Sequence, residues 1–142
     1  MAGVTGAIAQ PATDPTYLDI TLQLGARFAK WRAVITLGAA MPTTACIKAN
    51  AHGLARYAAL CQEQDIVPIV EPEVLMDGDH TIERYEEVTT ETLNRVFHAL
   101  AENAVMLEGI VLKPNMVLSG STCPVQAGPQ QIAEATVRTL LR

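Results

Sequence analysis

Three short β-favouring apolar runs, each followed by a stretch of helical spacing, constrain this chain more than any other feature. The runs are Phe28 to Leu37, Ile66 to Val70, and Gly109-Ile110-Val111-Leu112. All are rich in β-branched and aliphatic side chains, the composition of a buried strand. Strand and helix in alternation mean parallel strands joined by crossovers, so the predicted class is α/β, with three consecutive βα units. Each run also carries a charge that a core has no use for. Lys30 lies inside the first, Glu71 follows the second and Lys113 ends the third, at intervals of 41 and 42 residues. In parallel α/β proteins ligands bind where strands open into loops, and these three residues are expected to converge toward one rim of one sheet.

The segments between the runs agree with that organisation. Thr43 is the expected N-cap of a helix reaching about Gln64, with Ile47, Ala51, Leu54, Ala55 and Ala58 at helical spacing. Thr81 to Val88 reads as one short helix and Thr90 to Asn103 as another, with Leu93, Val96, Phe97 and Leu100 on one face. A Ser/Gly/Pro-containing loop from Leu118 to Gly128 precedes a last helix from Pro129 to Leu141. Residues 1–24, rich in Ala, Gly, Thr and Pro at their start, are expected to form a loose leader, and Tyr17 to Leu24 within them a helix ending at Gly25. Residues 25–142 then form the single folded segment.

Charge and composition exclude several function classes. The 142 residues carry a net charge of -5 with no cluster of Lys or Arg, which argues against nucleic acid as a partner. Cys46, Cys61 and Cys123 are odd in number and widely spaced, as expected of reduced thiols in a cytoplasmic protein. The first residues lack the basic region and apolar core of a signal peptide, and no stretch is apolar enough to span a membrane. Asp77, Asp79 and His80 read as a turn; a metal site needs more ligands at set spacing, and none is expected.

Lys30 and Arg32 are two residues apart and share a strand face, as do Glu71 and Glu73 if the extended conformation continues through Pro72. Lysines and carboxylates converging from adjacent apolar strands are open to three readings. A lysine at a strand end can snorkel to water, or the group can be an ion-pair network that serves structure alone. Alternatively, desolvation and a second cation lower the pKa of Lys113, making it a nucleophilic amine. A nearby carboxylic acid then protonates the hydroxyl that leaves as a carbinolamine becomes an imine.

The motifs around these residues carry a family resemblance. Phe28-Ala29-Lys30-Trp31-Arg32, Val67-Pro68-Ile69-Val70-Glu71-Pro72-Glu73 with Asp77-Gly78-Asp79-His80, and Leu112-Lys113-Pro114-Asn115-Met116-Val117 resemble successive strand signatures of class I fructose-bisphosphate aldolase, in consistent order from about Gly25 to Arg142. The segment from Asn50 to Ala58 is similar to the bacterial members. The resemblance implies a (β/α)8 barrel cleaving fructose 1,6-bisphosphate to dihydroxyacetone phosphate and glyceraldehyde 3-phosphate, a glycolytic lyase. Lys113 would be the Schiff-base lysine, Glu71 the acid and base at the carbinolamine, and Glu73 a support of the charge network. Lys30 would contact substrate and Arg32 balance the carboxylates. No cofactor or metal is implied, because the protonated imine is the electron sink; the full-length family implies a homotetramer.

A whole barrel needs about 250 residues, so the implied fold is a partial TIM barrel resembling strands four to six. The phosphate-holding serine, glycines and arginine of later strands are not in it. The alternatives are a non-catalytic partial-barrel or assembly module retaining the site residues, and another lysine-dependent aldolase.

Overall fold

The structure, a computed structural model, describes residues 22–142. The expected leader and most of the expected helix from Tyr17 to Leu24 lie outside these residues. Strands β1 (Phe28–Ile35), β2 (Val67–Val74) and β3 (Val111–Leu112) form one sheet in the order β1-β2-β3, all pairs parallel. Helices α1 (Thr44–Glu63), α2 (Ile82–Glu102) and α3 (Pro129–Leu140) follow them in turn.

Strand lengths differ from the sequence expectation for reasons of hydrogen bonding. β2 runs four residues past Val70, through Pro72. Val67 N–H donates to Arg27 and Leu75 N–H to Ile35, so odd-numbered residues of β2 face β1. Pro68 and Pro72 therefore present their missing donors to the β3 side. On that side β3 pairs over only two residues, and the lost donors cost little. Its last main-chain bond is from Lys113 N–H to Val70 O at 2.9 Å.

Thr43 caps α1 as expected, its hydroxyl accepting from Cys46 N–H at 3.1 Å. The two short helices expected between Thr81 and Asn103 are instead one, α2, capped by Thr81. Thr89 and Thr90 marked a break only through weak helix propensity; Thr89 and Thr92 are buried, and packing overrides a preference worth about 0.5 kcal/mol per residue. Phe97, expected on the buried stripe with Leu93, Val96 and Leu100, is exposed, because the buried stripe of α2 extends the other way, through Val88, Thr92 and Ala99, and leaves Phe97 at its edge. Pro129 opens α3 at its first turn.

Two apolar clusters hold the layers together. In one, Leu54, Ala55, Ala58 and Cys61 of α1 meet Ala33, Val70 and, from α2, Val96 and Leu100. The Trp31 indole packs edge-on against Tyr57, ring centroids 5.5 Å apart. The other joins Ile35 and Val74 to Ile82, Tyr85 and Val88 of α2, with Val117 and Ala135. The loop after β3 docks on the loop after β2 by main-chain bonds: Gly120 N–H to His80 O at 2.8 Å, Ser121 N–H to Met76 O at 2.7 Å and Thr122 N–H to Gly78 O at 2.9 Å.

Candidate functional site

Alternation along the strands sends Ala29, Trp31, Ala33 and Ile35 of β1, and Val70 and Val74 of β2, toward the helices. The opposite face of the sheet then carries Lys30 and Arg32 from β1, Glu71 and Glu73 from β2, and Lys113 just past β3. Parallel pairing puts Arg32 opposite Glu71 and Val34 opposite Glu73. Leu112 lies opposite Val70, which brings Lys113 beside Glu71. All five residues singled out in the sequence thus meet on one face.

Glu71 is the hub of that group. Its carboxylate accepts from Lys113 Nζ at 2.5 Å through Oε1, and its Oε2 lies 2.7 Å from Lys30 Nζ. Arg32 Nε stands 4.0 Å away and donates to the Glu73 carboxylate beside it. The Glu71 side chain is 3% exposed, whereas those of Lys30, Arg32 and Lys113 are 49%, 48% and 56% exposed. The expectation of a desolvated lysine is therefore not met for Lys113 among the described residues. Three open strands leave the cationic heads facing water; only the carboxylate is enclosed.

Burial by itself pushes the Glu71 carboxyl pKa up, but the hydrogen bonds and charges of Lys113 and Lys30 outweigh it and hold the group below the usual glutamate range. The proton affinity of a buried carboxylate kept ionised by two flexible amines depends on the charge of those neighbours. Arg32, fixed by Glu73, has its own pKa raised by that pair and stays charged.

Two groups that hold this site were not singled out by sequence reasoning. The Tyr85 hydroxyl donates to Val74 O at the end of β2, and its pKa is raised first by burial and then by the Glu73 charge. Asn115 accepts from Val74 N–H at 3.0 Å through Oδ1. The signal for Asn115 was present: Pro72 removes the main-chain donor that would face the strand of Lys113, so another group must close the gap. Asp77 and Asp79 lie exposed on the turn after β2, and His80 stacks against Tyr85 at 5.2 Å. Among the described residues no group of three or more His, Cys, Asp or Glu is placed to hold a metal ion.

Residues 20–142 match the glycolytic family of class I fructose-bisphosphate aldolases. A probable class 1 fructose-bisphosphate aldolase of Xanthomonas campestris pv. campestris is 54% identical over 142 residues, covering 99% of this chain and 42% of the relative. The fructose-bisphosphate aldolase of Dictyostelium discoideum is 56% identical over 122 residues, covering 84% of this chain and 34% of the relative. Among solved structures, Plasmodium falciparum fructose-bisphosphate aldolase, crystallised with TRAP and a small-molecule inhibitor, superposes with a TM-score of 0.87 at 48% identity. That match covers 90% of this chain and 38% of the other. The chain thus spans about two fifths of the length of such relatives.

Proposed function

This chain belongs to the class I fructose-bisphosphate aldolase family, its fold a piece of that family's (β/α)8 barrel, and from that premise we propose that it carries the Schiff-base centre of an aldolase acting on fructose 1,6-bisphosphate. Lys113 is the nucleophile, Glu71 its proton donor and acceptor, Glu73 the support of the charge network, and Lys30 and Arg32 contact the sugar phosphate. The observation that carries this reading is the enclosed Glu71 carboxylate held between Lys113 at 2.5 Å and Lys30 at 2.7 Å.

The chemistry follows from that arrangement. Lys113 as free amine adds through Nζ to the ketone carbon, whose oxygen takes up a proton to become the carbinolamine hydroxyl. The proton that the Lys113 ammonium gives up passes to the Glu71 carboxylate it touches, because a neutral Lys113 no longer offsets the burial of that carboxyl, whose proton affinity rises as the amine loses its charge. Glu71 then hands its proton to the hydroxyl, which leaves as water as the protonated imine forms. The imine takes the electron pair of the bond between its α and β carbons. The hydroxyl on the β carbon gives its proton to Glu71, by then a carboxylate again, and that carbon departs as the aldehyde, leaving an enamine. Reprotonation and hydrolysis return free Lys113 and dihydroxyacetone phosphate. In this reading the setting is cytoplasmic and the full-length family is a homotetramer. No helix of the described residues is long and apolar enough to cross a membrane.

A second reading, a non-catalytic partial-barrel or assembly module, is favoured by the half-exposed cations, since an open face gives no grip on phosphates. Borohydride reduction in the presence of dihydroxyacetone phosphate separates the two. Under the catalytic reading the wild-type chain gains a covalent adduct that maps to Lys113 and that Lys113→Met abolishes. A folded wild-type chain that traps nothing favours the second reading.

A further inference from the structure

The ladder between β2 and β3 stops beside the reacting residues. Lys113 N–H to Val70 O is its last main-chain rung, at 2.9 Å. Pro72, on the same side of β2 as Val70 and Val74, has no N–H to offer, so the rung that would follow Lys113 N–H to Val70 O is missing. Val74 N–H is the next donor of β2 on that side, and it is met at 3.0 Å by the side chain of Asn115. The same carboxamide reaches Thr89 Oγ1 on α2 at 3.4 Å and Met116 O at 3.1 Å through Nδ2. Thr89 is buried, so this end of the tie is anchored in α2.

We propose that Asn115 is a positioning residue: its carboxamide takes the place of the rung deleted by Pro72 and so holds Lys113 against Glu71. Among the described residues no main-chain bond joins residues 114–119 to β2, and the next hold is the docking of Gly120 to Thr122 on the loop after β2. Without the Asn115 tie, residues 114–116, between the Lys113 rung and the buried Val117, lose their hold on β2, and the 2.5 Å contact between Lys113 Nζ and Glu71 lengthens. The consequence for chemistry rests on Lys113 being the nucleophile; the positioning itself does not.

The charged groups facing Glu71 are Lys30 and Arg32 from β1, Glu73 from its own strand and Lys113 from the end of β3. Loss of the Lys113 contact alone therefore leaves the carboxyl less compensated. The test is the titration of Glu71 in the 142-residue chain carrying ¹³C-labelled glutamate, followed by NMR. Glu86, three residues before Thr89 on α2 and paired to Arg138 at 2.7 Å, is the control. In Asn115→Ala the Glu71 midpoint moves up while that of Glu86 stays put. Thr89→Val, which removes only the anchor on α2, moves Glu71 in the same direction by less. A folded Asn115→Ala with an unchanged Glu71 midpoint, or with Glu86 moving as far, overturns the proposal. Should circular dichroism find Asn115→Ala unfolded, an unmoved Glu71 in Thr89→Val overturns it instead. A chain whose Glu71 midpoint responds but which traps no ketose refutes the catalytic reading and leaves the positioning intact.

Discussion

Replacing Lys113 by methionine keeps the aliphatic stem and removes the ammonium, leaving the Glu71 carboxylate, 3% exposed, with Lys30 as its one close cation. A hydrogen bond to a charged group contributes about 1.5–3 kcal/mol. Lys113 is 56% exposed, however, and water screens its side of the pair toward the range of about 0–1 kcal/mol for surface ion pairs. The expected cost of Lys113→Met at neutral pH lies between, at about 1–2 kcal/mol. Its sign with pH follows from Glu71, whose carboxyl is held below its unfolded value of about 4.3. A lowered pKa contributes stability that is full above the unfolded value and is lost as pH falls through the folded one. Part of that lowering comes from Lys113, so the variant loses its share of stability at a higher pH than wild type does, and below both values the two chains converge. Urea unfolding of the pair at a series of pH values from about 7 to about 3 reads this directly, as a gap in midpoint at constant slope that closes on acidification. A gap that is absent at neutral pH, or that persists unchanged in acid, refutes the account of Glu71 as a charge held by its lysines.

Two further expectations concern glycines with opposite surroundings. A Cβ on Gly120 would stand 2.3 Å from Gly78 O and 2.8 Å from His80 N, main-chain atoms that cannot turn aside. Gly120→Ala should therefore cost about 1–3 kcal/mol or more by forcing the two docked loops apart, seen as a lowered melting temperature. Gly53 lies inside α1, and a Cβ there would meet the Trp31 indole at 3.5 Å, an ordinary contact. Gly53→Ala should stabilise the chain by about 0.5–1 kcal/mol in urea unfolding, and a loss of stability would show that α1 cannot sit closer to the indole.

Much of the site was legible because its chemistry is written in strands. Lys30 and Arg32, and Glu71 and Glu73, are spaced by two, and a period of two places each pair on one face whatever the tertiary details. The helix boundaries were less legible. Both α1 and α2 close with the main-chain pattern of a left-handed terminal residue, Ile66 N–H reaching Cys61 O at 2.9 Å and Val105 N–H reaching Leu100 O at 3.0 Å. The residues in that conformation are Asp65 and Ala104, not glycine. An alanine there gives no sequence signal, and burial of Ile66 and Val105 just beyond decides the ending. The continuity of α2 through Thr89 and Thr90 was hidden likewise, since its cause is packing of Thr89 and Thr92 into the protein interior.

By itself the sequence determined the alternation of strand and helix, the parallel order that follows from it, the capping of α1 by Thr43, and the motifs that mark the family. Each is local, set by side-chain period, capping chemistry or a run of residues read in place. Only the tertiary structure decided that Glu71, alone among the charged residues of the site, is enclosed, while Lys30, Arg32 and Lys113 stay half in water. It also decided that β3 is held past Lys113 by the Asn115 side chain. Both depend on which atoms of distant segments fill or leave open the space around a strand, and no periodicity encodes that.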